Sequence, residues 1–251
     1  MRYKTLADAV LDLERHGKLV RVKEEISTEL EMASVHRRIH AQKGPAIFFE
    51  NVRGRNFPAV SNLFGTQERC EFLFRKSLKQ IRDVFQIKVN PLAALNPKNA
   101  LSALRIGVHA LPRRACIMPR FEKTTIDKIP VVKSWPKDGG DFITLPMVYT
   151  ENPEFPGVMR SNLGMYRVQT SGNKYTPNKT MGLHYQIHRG IGIHHTIALQ
   201  RKERLKVSVL VGGPPALILA AVMPLPETIS EVLFASMLGK RAFKYRKYGG
   251  F

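Results

Sequence analysis

Apolar and polar residues in the first third of the chain alternate with the period of amphipathic helices. An apolar stripe over residues 5–16, which Thr5 can cap and Gly17 can end, predicts a first helix. The same reasoning predicts a second helix over 31–42 and a third over 67–85. These segments together indicate a folded N-terminal unit.

Apolar runs that are too short for helices lie between these segments. Residues 19–22, 46–49 and 59–60 are predicted to form buried strands. Alternation of helices and strands favours an α/β domain, placed over 1–120. Proline interrupts the pattern over 90–119, and no element is assigned there.

Beyond residue 123 the pattern changes to short β-like pieces separated by Gly and Pro clusters. This spacing predicts an antiparallel, barrel-like domain over 121–251, so the fold class is α+β. The predicted strands are 130–133, 142–145, 166–169 and 206–211.

Composition is that of an ordinary soluble globular protein, since 43% of the 251 residues are hydrophobic and 24% are charged. The longest apolar run, 216–226, is too short to span a bilayer, and the first residues lack the apolar centre of a signal peptide. Cys70 and Cys116 are far apart and in no metal-binding spacing, which excludes a disulfide framework. These features predict a cytoplasmic protein.

The formal net charge of +20 raises nucleic-acid binding as an alternative function. However, the basic residues are dispersed, and aromatic residues do not alternate with them as they do on a stacking surface. A surface suited to anionic substrates explains the charge equally well. Nucleic-acid binding is therefore kept as an alternative and is not favoured.

The residues best suited to catalysis or ligand binding lie in 159–167 and 182–190. Asn162 and His184 are able to ligate a divalent cation. Arginines of the same segments can hold phosphate or carboxylate groups, namely Arg160, Arg167 and Arg189. This mixture indicates a phosphorylated cofactor acting on an acid.

These two segments, followed by 224–231, resemble three successive signatures of the UbiD family, in order and in spacing. The resemblance runs from about Thr5 to Gly239. Members are decarboxylases, some of them reversible and some serving ubiquinone or menaquinone biosynthesis, that use prenylated FMN. The resemblance implies an α/β domain followed by a split β-barrel, flavin-reductase-like domain that binds this cofactor.

The resemblance also implies roles for individual residues. Asn162, His184 and Glu231 match the ligands of Mn²⁺ or Mg²⁺, a set whose hard oxygen and imidazole donors suit such ions. Arg167 matches the catalytic arginine. The segments that surround the prenylated flavin contribute Met165, Tyr166, Arg167, His184, Tyr185, Gln186, Arg189 and Gly190.

Structural explanations of the same residues remain open. Asn162 can shape a turn, His184 can pack in a strand, and Glu231 can cap a helix that begins near Thr228. Tyr166 and Tyr185 can be part of the barrel core. His188, His194 and His195 can be polar groups whose hydrogen bonds are satisfied within the protein. The resemblance implies a K⁺ ion beside 220–223, where a buried strand leading into a helix is a sufficient alternative.

The predicted function is therefore non-oxidative decarboxylation of an aromatic or α,β-unsaturated carboxylic acid. A flavin prenyltransferase would supply the cofactor. The chain reaches Phe251 before the family segment that supplies the catalytic acid, and 240–247 is expected to leave an unpaired edge without a core-closing strand. Assembly as a homo-oligomer or with a complementary subunit is expected. An inactive flavin-binding subunit and a reductase-like flavoprotein are the alternatives.

Overall fold

The fold is described from a computed structural model, for residues 3–79, 81–82, 97, 101, 107, 110–117, 121–225 and 230–247. Its helices are α1 (Leu6–Arg15), α2 (Glu31–Ala41), α3 (Gln67–Phe74), α4 (Gly190–Gln200), α5 (Pro215–Ala220) and α6 (Glu231–Gly239), with short 3₁₀ turns at Ile126–Lys128 and Val158–Arg160. Its strands are β1 (Leu19–Val22), β2 (Ala46–Phe49), β3 (Ala59–Ser61), β4 (Arg113–Arg114), β5 (Phe142–Ile143), β6 (Met147–Glu151), β7 (Ser161–Met165), β8 (Arg167–Gln169), β9 (Gly182–His184), β10 (Ser208–Leu210) and β11 (Lys244–Tyr245). Within these ranges, no helix is both long enough and apolar enough to cross a membrane.

The N-terminal sheet confirms the first predicted strands and helices. Strand β1 pairs in parallel with β2, and β2 pairs antiparallel with β3. Helix α1 begins with a capping box, because the Thr5 hydroxyl accepts from the Asp8 N–H at 3.2 Å and the Asp8 carboxylate accepts from the Thr5 N–H at 3.0 Å. Local capping chemistry therefore determines where this helix starts.

The single helix predicted over 67–85 is wrong, because α3 ends at Phe74 and a turn follows. The Ser77 N–H and hydroxyl both donate to the Phe74 carbonyl, at 2.8 and 3.1 Å, which competes with continued helical hydrogen bonding. Helical residues resume at 78, and the predicted end at Phe85 lies outside the described residues.

The second half of the chain contains two antiparallel sheets, ordered β10–β6–β7 and β5–β8–β9. Among the described residues these sheets do not close into a barrel, so the split-barrel arrangement and the domain boundary at 120 stay predictions. The α+β class itself is confirmed. A shared apolar cluster comprises Val131, Ile143, Val148, Val168 and Ile191.

Several predicted strands differ from the structure. Residues 130–133 form only isolated bridges, at Val132 and Lys133. Residues 220–223 are not a strand, because α5 runs to Ala220 and a turn follows. A strand does follow residue 240, contrary to expectation, since β11 pairs in parallel with β4. Helix α4 has no counterpart among the predicted elements.

One hydrophobic core connects the two halves of the chain. Val10 and Leu13 of α1 belong to the same buried cluster as Met147 of β6 and Leu163 of β7. Apolar residues of α5, such as Ile218, and of α6 complete this cluster. Strand β7 is consequently fixed by packing on one face, and its other face is available for polar side chains.

Candidate functional site

Strand β7 places Asn162 inside the protein. Side chains alternate along a strand, so Leu163 and Met165 face the main core, whereas Asn162 and Gly164 face the opposite side. Asn162 lies opposite Thr150 of β6 and is only 9% exposed. The asparagine therefore lies in a strand and not in a turn.

The amide of Asn162 has one satisfied atom and one unsatisfied atom. Its Oδ1 accepts a 3.3 Å hydrogen bond from the Tyr166 hydroxyl, whereas its Nδ2 is buried without a hydrogen-bond partner. An unsatisfied buried polar group costs about 1–3 kcal/mol. Because the assignment of amide nitrogen and oxygen is a choice of orientation, a half-turn of the amide would place Oδ1 at the free position.

Helix α4 begins directly against this amide. A Cβ at Gly190 would lie 2.2 Å from Asn162 Oδ1, so only glycine permits this approach. Arg189 is the N-cap residue, and its Nε lies 3.4 Å from Gln186 Oε1. The N-terminus of a helix attracts phosphate groups, and the exposed Arg189 guanidinium adds a positive charge there.

Glu231 approaches the same strand from α6. It is the first residue of that helix, and its Oε2 accepts a 3.2 Å hydrogen bond from the N–H of Leu163. Burial raises the pKa of Glu231, and the Leu163 hydrogen bond opposes the rise. Since Leu163 directly follows Asn162, the Glu231 carboxylate contacts the backbone of β7 one residue after the asparagine.

Tyr166 joins these groups at the end of β7. Its ring lies over Gly164, where a Cβ would be 2.4 Å from the ring. Burial raises the pKa of Tyr166, the hydrogen bond with Asn162 opposes the rise, and the charges of Glu231 and Arg189 act in opposite directions. The two charges thus act on the tyrosine that contacts Asn162.

Arg167 and His184 lie on the neighbouring sheet. They face each other as a directly opposed pair of β8 and β9, and both side chains are exposed. The Arg167 guanidinium carbon is 5.5 Å from the centroid of the Phe142 ring, and the His184 ring meets the same ring edge-on at 6.5 Å. His184 also leans over Gly182, where its Nε2 would be 3.1 Å from a Cβ.

The predicted metal ligands are therefore only partly assembled. Asn162 and Glu231 lie together along β7, whereas no hydrogen bond or ion pair between described residues joins His184 to either of them. Within the described ranges, no group of three or more His, Cys, Asp and Glu side chains is placed to hold a metal ion. The predicted set contains only two residues of those types, and its role stays a prediction.

Three of the predicted cofactor residues, Met165, Tyr166 and Tyr185, take up packing positions. Met165 donates its N–H to the Ala221 carbonyl at 2.9 Å, which covers the open edge of β7. Tyr166 and Tyr185 are partly buried against the shared apolar cluster that contains Val168 and Ile191, which agrees with the explanation that they pack in the core. The Ala221 carbonyl is already an acceptor, and the K⁺ ion beside 220–223 stays a prediction.

Histidines in this region have ordinary partners. His194 Nδ1 lies 2.9 Å from the Thr150 hydroxyl, and burial lowers the pKa of this imidazole. His195 hydrogen-bonds the Tyr185 hydroxyl. The prediction that these two histidines are satisfied polar groups is confirmed. His188 is exposed.

Sequence reasoning missed a cleft beside Arg167. The cleft has a volume of about 330 Å³, and Trp135 and Phe142 contribute aromatic walls to it. Thr144 and Tyr166 also line it. The single tryptophan of the chain, followed closely by the turn sequence Asp138-Gly-Gly, was the available signal.

Comparison with known protein families accounts for nearly the whole chain. Residues 112–249 match the 3-octaprenyl-4-hydroxybenzoate carboxy-lyase Rift-related domain. Residues 10–88 match the N-terminal domain of the same carboxy-lyases. The chain belongs to the UbiD family. The resemblance inferred from three motifs is confirmed, and the candidate site lies within the Rift-related match.

Sequence relatives of this UbiD chain are longer than it is. A 4-hydroxybenzoate decarboxylase subunit of Chlamydia pneumoniae is 42% identical over 233 residues, which cover 88% of this chain and 38% of the relative. An uncharacterized protein of Archaeoglobus fulgidus is 35% identical over 251 residues, which cover 97% of this chain and 50% of the relative. The chain thus spans half or less of the length of these relatives.

Solved structures of UbiD-class enzymes share the fold. Vanillic acid decarboxylase of Sedimentibacter hydroxybenzoicus, in its closed form, superimposes with a TM-score of 0.76 at 21% identity, over 96% of this chain and 50% of that chain. The UbiD-class enzyme HmfF of Pelotomaculum thermopropionicum, in complex with FMN, gives a TM-score of 0.71 at 19% identity, over 96% of this chain and 49% of that chain. At such identities the likeness concerns the fold alone.

Proposed function

We propose that this UbiD chain is the flavin-binding part of a decarboxylase for aromatic or α,β-unsaturated carboxylic acids. The observation that carries the proposal is the buried Asn162 amide with its unpartnered Nδ2, at the start of helix α4. A folded protein seldom leaves such a group without a partner unless a ligand completes it. Relatives named as decarboxylases, and neighbours solved with FMN or prenylated FMN, support this assignment.

Residues around β7 would hold a divalent ion near the phosphate of a bound flavin. Asn162 and Glu231 offer an amide oxygen and a carboxylate, and His184 would complete the set after its ring turns away from Gly182. Hard oxygen donors favour Mn²⁺ or Mg²⁺. The phosphate would lie at the N-terminus of α4 beside Arg189. Bound prenylated FMN would supply the electron sink for cleavage of the carbon–carbon bond.

Arg167 is proposed to hold the substrate carboxylate. Its guanidinium is exposed at the cleft, beside Phe142, and offers a planar pair of donors that matches a carboxylate. Orientation of the substrate in this manner favours loss of CO₂ from a fixed geometry. The proton that replaces CO₂ is proposed to come from outside these 251 residues.

A complementary chain is proposed to supply that proton. The chain spans 38% of the Chlamydia pneumoniae relative, and that relative is itself named as a subunit. The neighbour ShVdcCD has also been solved with truncated ShVdcD. These observations support an assembly in which this chain holds the cofactor and a second polypeptide contributes the catalytic acid.

The absorbance spectrum of the purified chain tests the proposed function. The chain should be coexpressed with a flavin prenyltransferase and purified in the presence of Mn²⁺. We expect a flavin-type visible spectrum, with prenylated FMN recovered on denaturation in near-stoichiometric amount. A colourless protein that also fails to bind added FMN would overturn the proposal.

A further expectation concerns Arg167→Lys. This change keeps the positive charge but removes the bidentate fork, so turnover by the complemented enzyme should fall by on the order of 100-fold while flavin retention stays unchanged. The measurement is kcat/KM together with flavin content. Equal loss of flavin and of activity would instead make Arg167 a cofactor anchor.

A further inference from the structure

The cleft beside Arg167 combines two aromatic side chains with a fixed cation. Trp135 and Phe142 both line it, and the Arg167 guanidinium lies over the Phe142 ring at 5.5 Å. Its volume of about 330 Å³ is large enough for one aromatic ring and its substituents. The cleft thus presents apolar aromatic surface and a positive charge, together with Asp138, whose Oδ2 accepts from two backbone N–H groups.

Trp135 is held rigidly although its side chain is 56% exposed. The Asp138 carboxylate accepts hydrogen bonds from the N–H groups of Ser134 and Trp135, at 3.1 and 2.9 Å. From helix α2, Arg37 donates to the Ser134 carbonyl at 2.9 Å. The Arg37 guanidinium also lies 4.4 Å from the centroid of the Trp135 ring. The loop and its indole are thereby fixed from two sides.

Single exposed apolar residues are common on protein surfaces, and Trp135 is one of several among the described residues. Trp135 differs in that its loop and its ring are both held in place at the edge of a cleft that contains an arginine. An aromatic side chain that is already held in place binds a planar ligand with little loss of conformational entropy. The nearby Arg167 supplies the charge that a carboxylate on that ligand requires.

We propose that Trp135 is a specificity-determining residue that forms an aromatic wall of the substrate cleft and selects planar aromatic acids over non-aromatic unsaturated acids. The inference rests on the proposed function and narrows its substrate class. Trp135 stacks on the aromatic ring, Phe142 faces it across the cleft, and Arg167 binds the carboxylate. Arg37 and Asp138 act as positioning residues for the indole.

Binding of two acids to the full, FMN-loaded chain tests this assignment. Benzoate serves as the aromatic probe, and sorbate serves as a non-aromatic unsaturated acid of the same charge. Because Trp135 is the only tryptophan, benzoate should change the intrinsic fluorescence of the wild-type protein, and it should bind more tightly than sorbate. Calorimetry then gives the affinities of the variants.

Trp135→Leu should weaken benzoate binding roughly tenfold and sorbate binding less than twofold. Trp135→Phe, which keeps an aromatic ring, should retain most of the preference for benzoate. Phe155→Leu is the matched control, because Phe155 is 50% exposed and lies 4.9 Å from the Arg160 guanidinium in a similar cation–π pair outside the cleft. This control should leave both affinities unchanged.

Three results would overturn the inference. These are an unaltered benzoate preference in Trp135→Leu, an equal loss for both acids, or a loss of FMN together with benzoate, which would make Trp135 a cofactor contact. Failure of the proposed function would look different. In that case the wild-type chain and every variant would lack flavin, irrespective of residue 135.

Discussion

Replacement of Asn162 by alanine should abolish metal-dependent flavin retention, and Glu231→Ala should have the same effect. The first change deletes the buried amide whose Nδ2 lacks a partner, and the second removes the carboxylate that approaches β7 through Leu163. Loss of one oxygen ligand from the proposed set of three should leave a divalent ion too weakly held to retain a phosphate. Mass spectrometry of flavin released from the purified proteins, with and without a chelator, measures the effect.

Glu231→Gln separates ligation from folding. The glutamine still accepts the hydrogen bond from Leu163, so the contact between α6 and β7 persists, while the negative charge needed for metal binding is lost. As a control, Glu151→Gln changes a carboxylate of β6 that accepts a 2.7 Å hydrogen bond from the Tyr149 hydroxyl. We expect loss of flavin in the first variant and normal flavin in the second. Unchanged retention in both alanine variants would refute the ligand assignment.

Gly190→Ala provides an independent check of the same site. The added Cβ would lie 2.2 Å from Asn162 Oδ1, so either the amide or the start of α4 must move. Flavin retention should fall although none of the proposed metal ligands has been changed. The control is Met181→Ala, because Met181 is exposed and its replacement alters no close contact of the site. Gly54→Ala is not a suitable control, because the positive φ of Gly54 disfavours alanine.

Decarboxylation by the isolated 251-residue polypeptide should be undetectable even when it is loaded with prenylated FMN. General acids typically contribute 10²–10⁴-fold to a rate, and the acid is proposed to lie outside these 251 residues. Addition of the C-terminal half of the Archaeoglobus fulgidus relative, of which this chain covers 50%, should restore CO₂ release. The measurement is CO₂ evolved from an aromatic acid by the chain alone and by the mixture.

The control for this experiment is the same mixture prepared with Arg167→Lys, in which CO₂ release should again fall. Turnover by the chain alone at rates typical of an enzyme would contradict the prediction. In that event a carboxylate within the chain, such as the half-buried Glu231, would have to donate the proton. The pH dependence of that activity would then identify the donor.

Much of the N-terminal half could be predicted because its signals are local. The capping box of Thr5 and Asp8 lies within one helical turn, and the short apolar runs 19–22 and 46–49 are too brief for helices. The chemistry of the site was also readable in part, since residue types in 159–167 and 182–190 indicate a phosphorylated cofactor, and the resemblance of these segments to UbiD signatures implied a flavin decarboxylase. These features depend on neighbouring residues in the chain.

Helices α4 and α5 could not be predicted in the same manner. Both are largely apolar, without a clear polar face, and α5 has prolines at its N-cap, Pro214, and at its first position, Pro215. A helix that packs on more than one side loses the 3.6-residue pattern that reveals amphipathic helices, and a short apolar run then resembles a buried strand. Packing of α4 against β6 and β7, and of α5 against α6, decides their conformation.

The sequence alone established that this chain carries an amide, a carboxylate, imidazoles and arginines suited to a phosphorylated cofactor. The tertiary structure decided which of them meet. It brought Gly190 against Asn162, attached Glu231 to the next residue of β7, and turned His184 toward Phe142. It also placed the guanidinium of Arg37, a residue of α2, over the ring of Trp135. Such contacts join residues far apart in the chain, and their geometry is set by how the core packs, which no local pattern encodes.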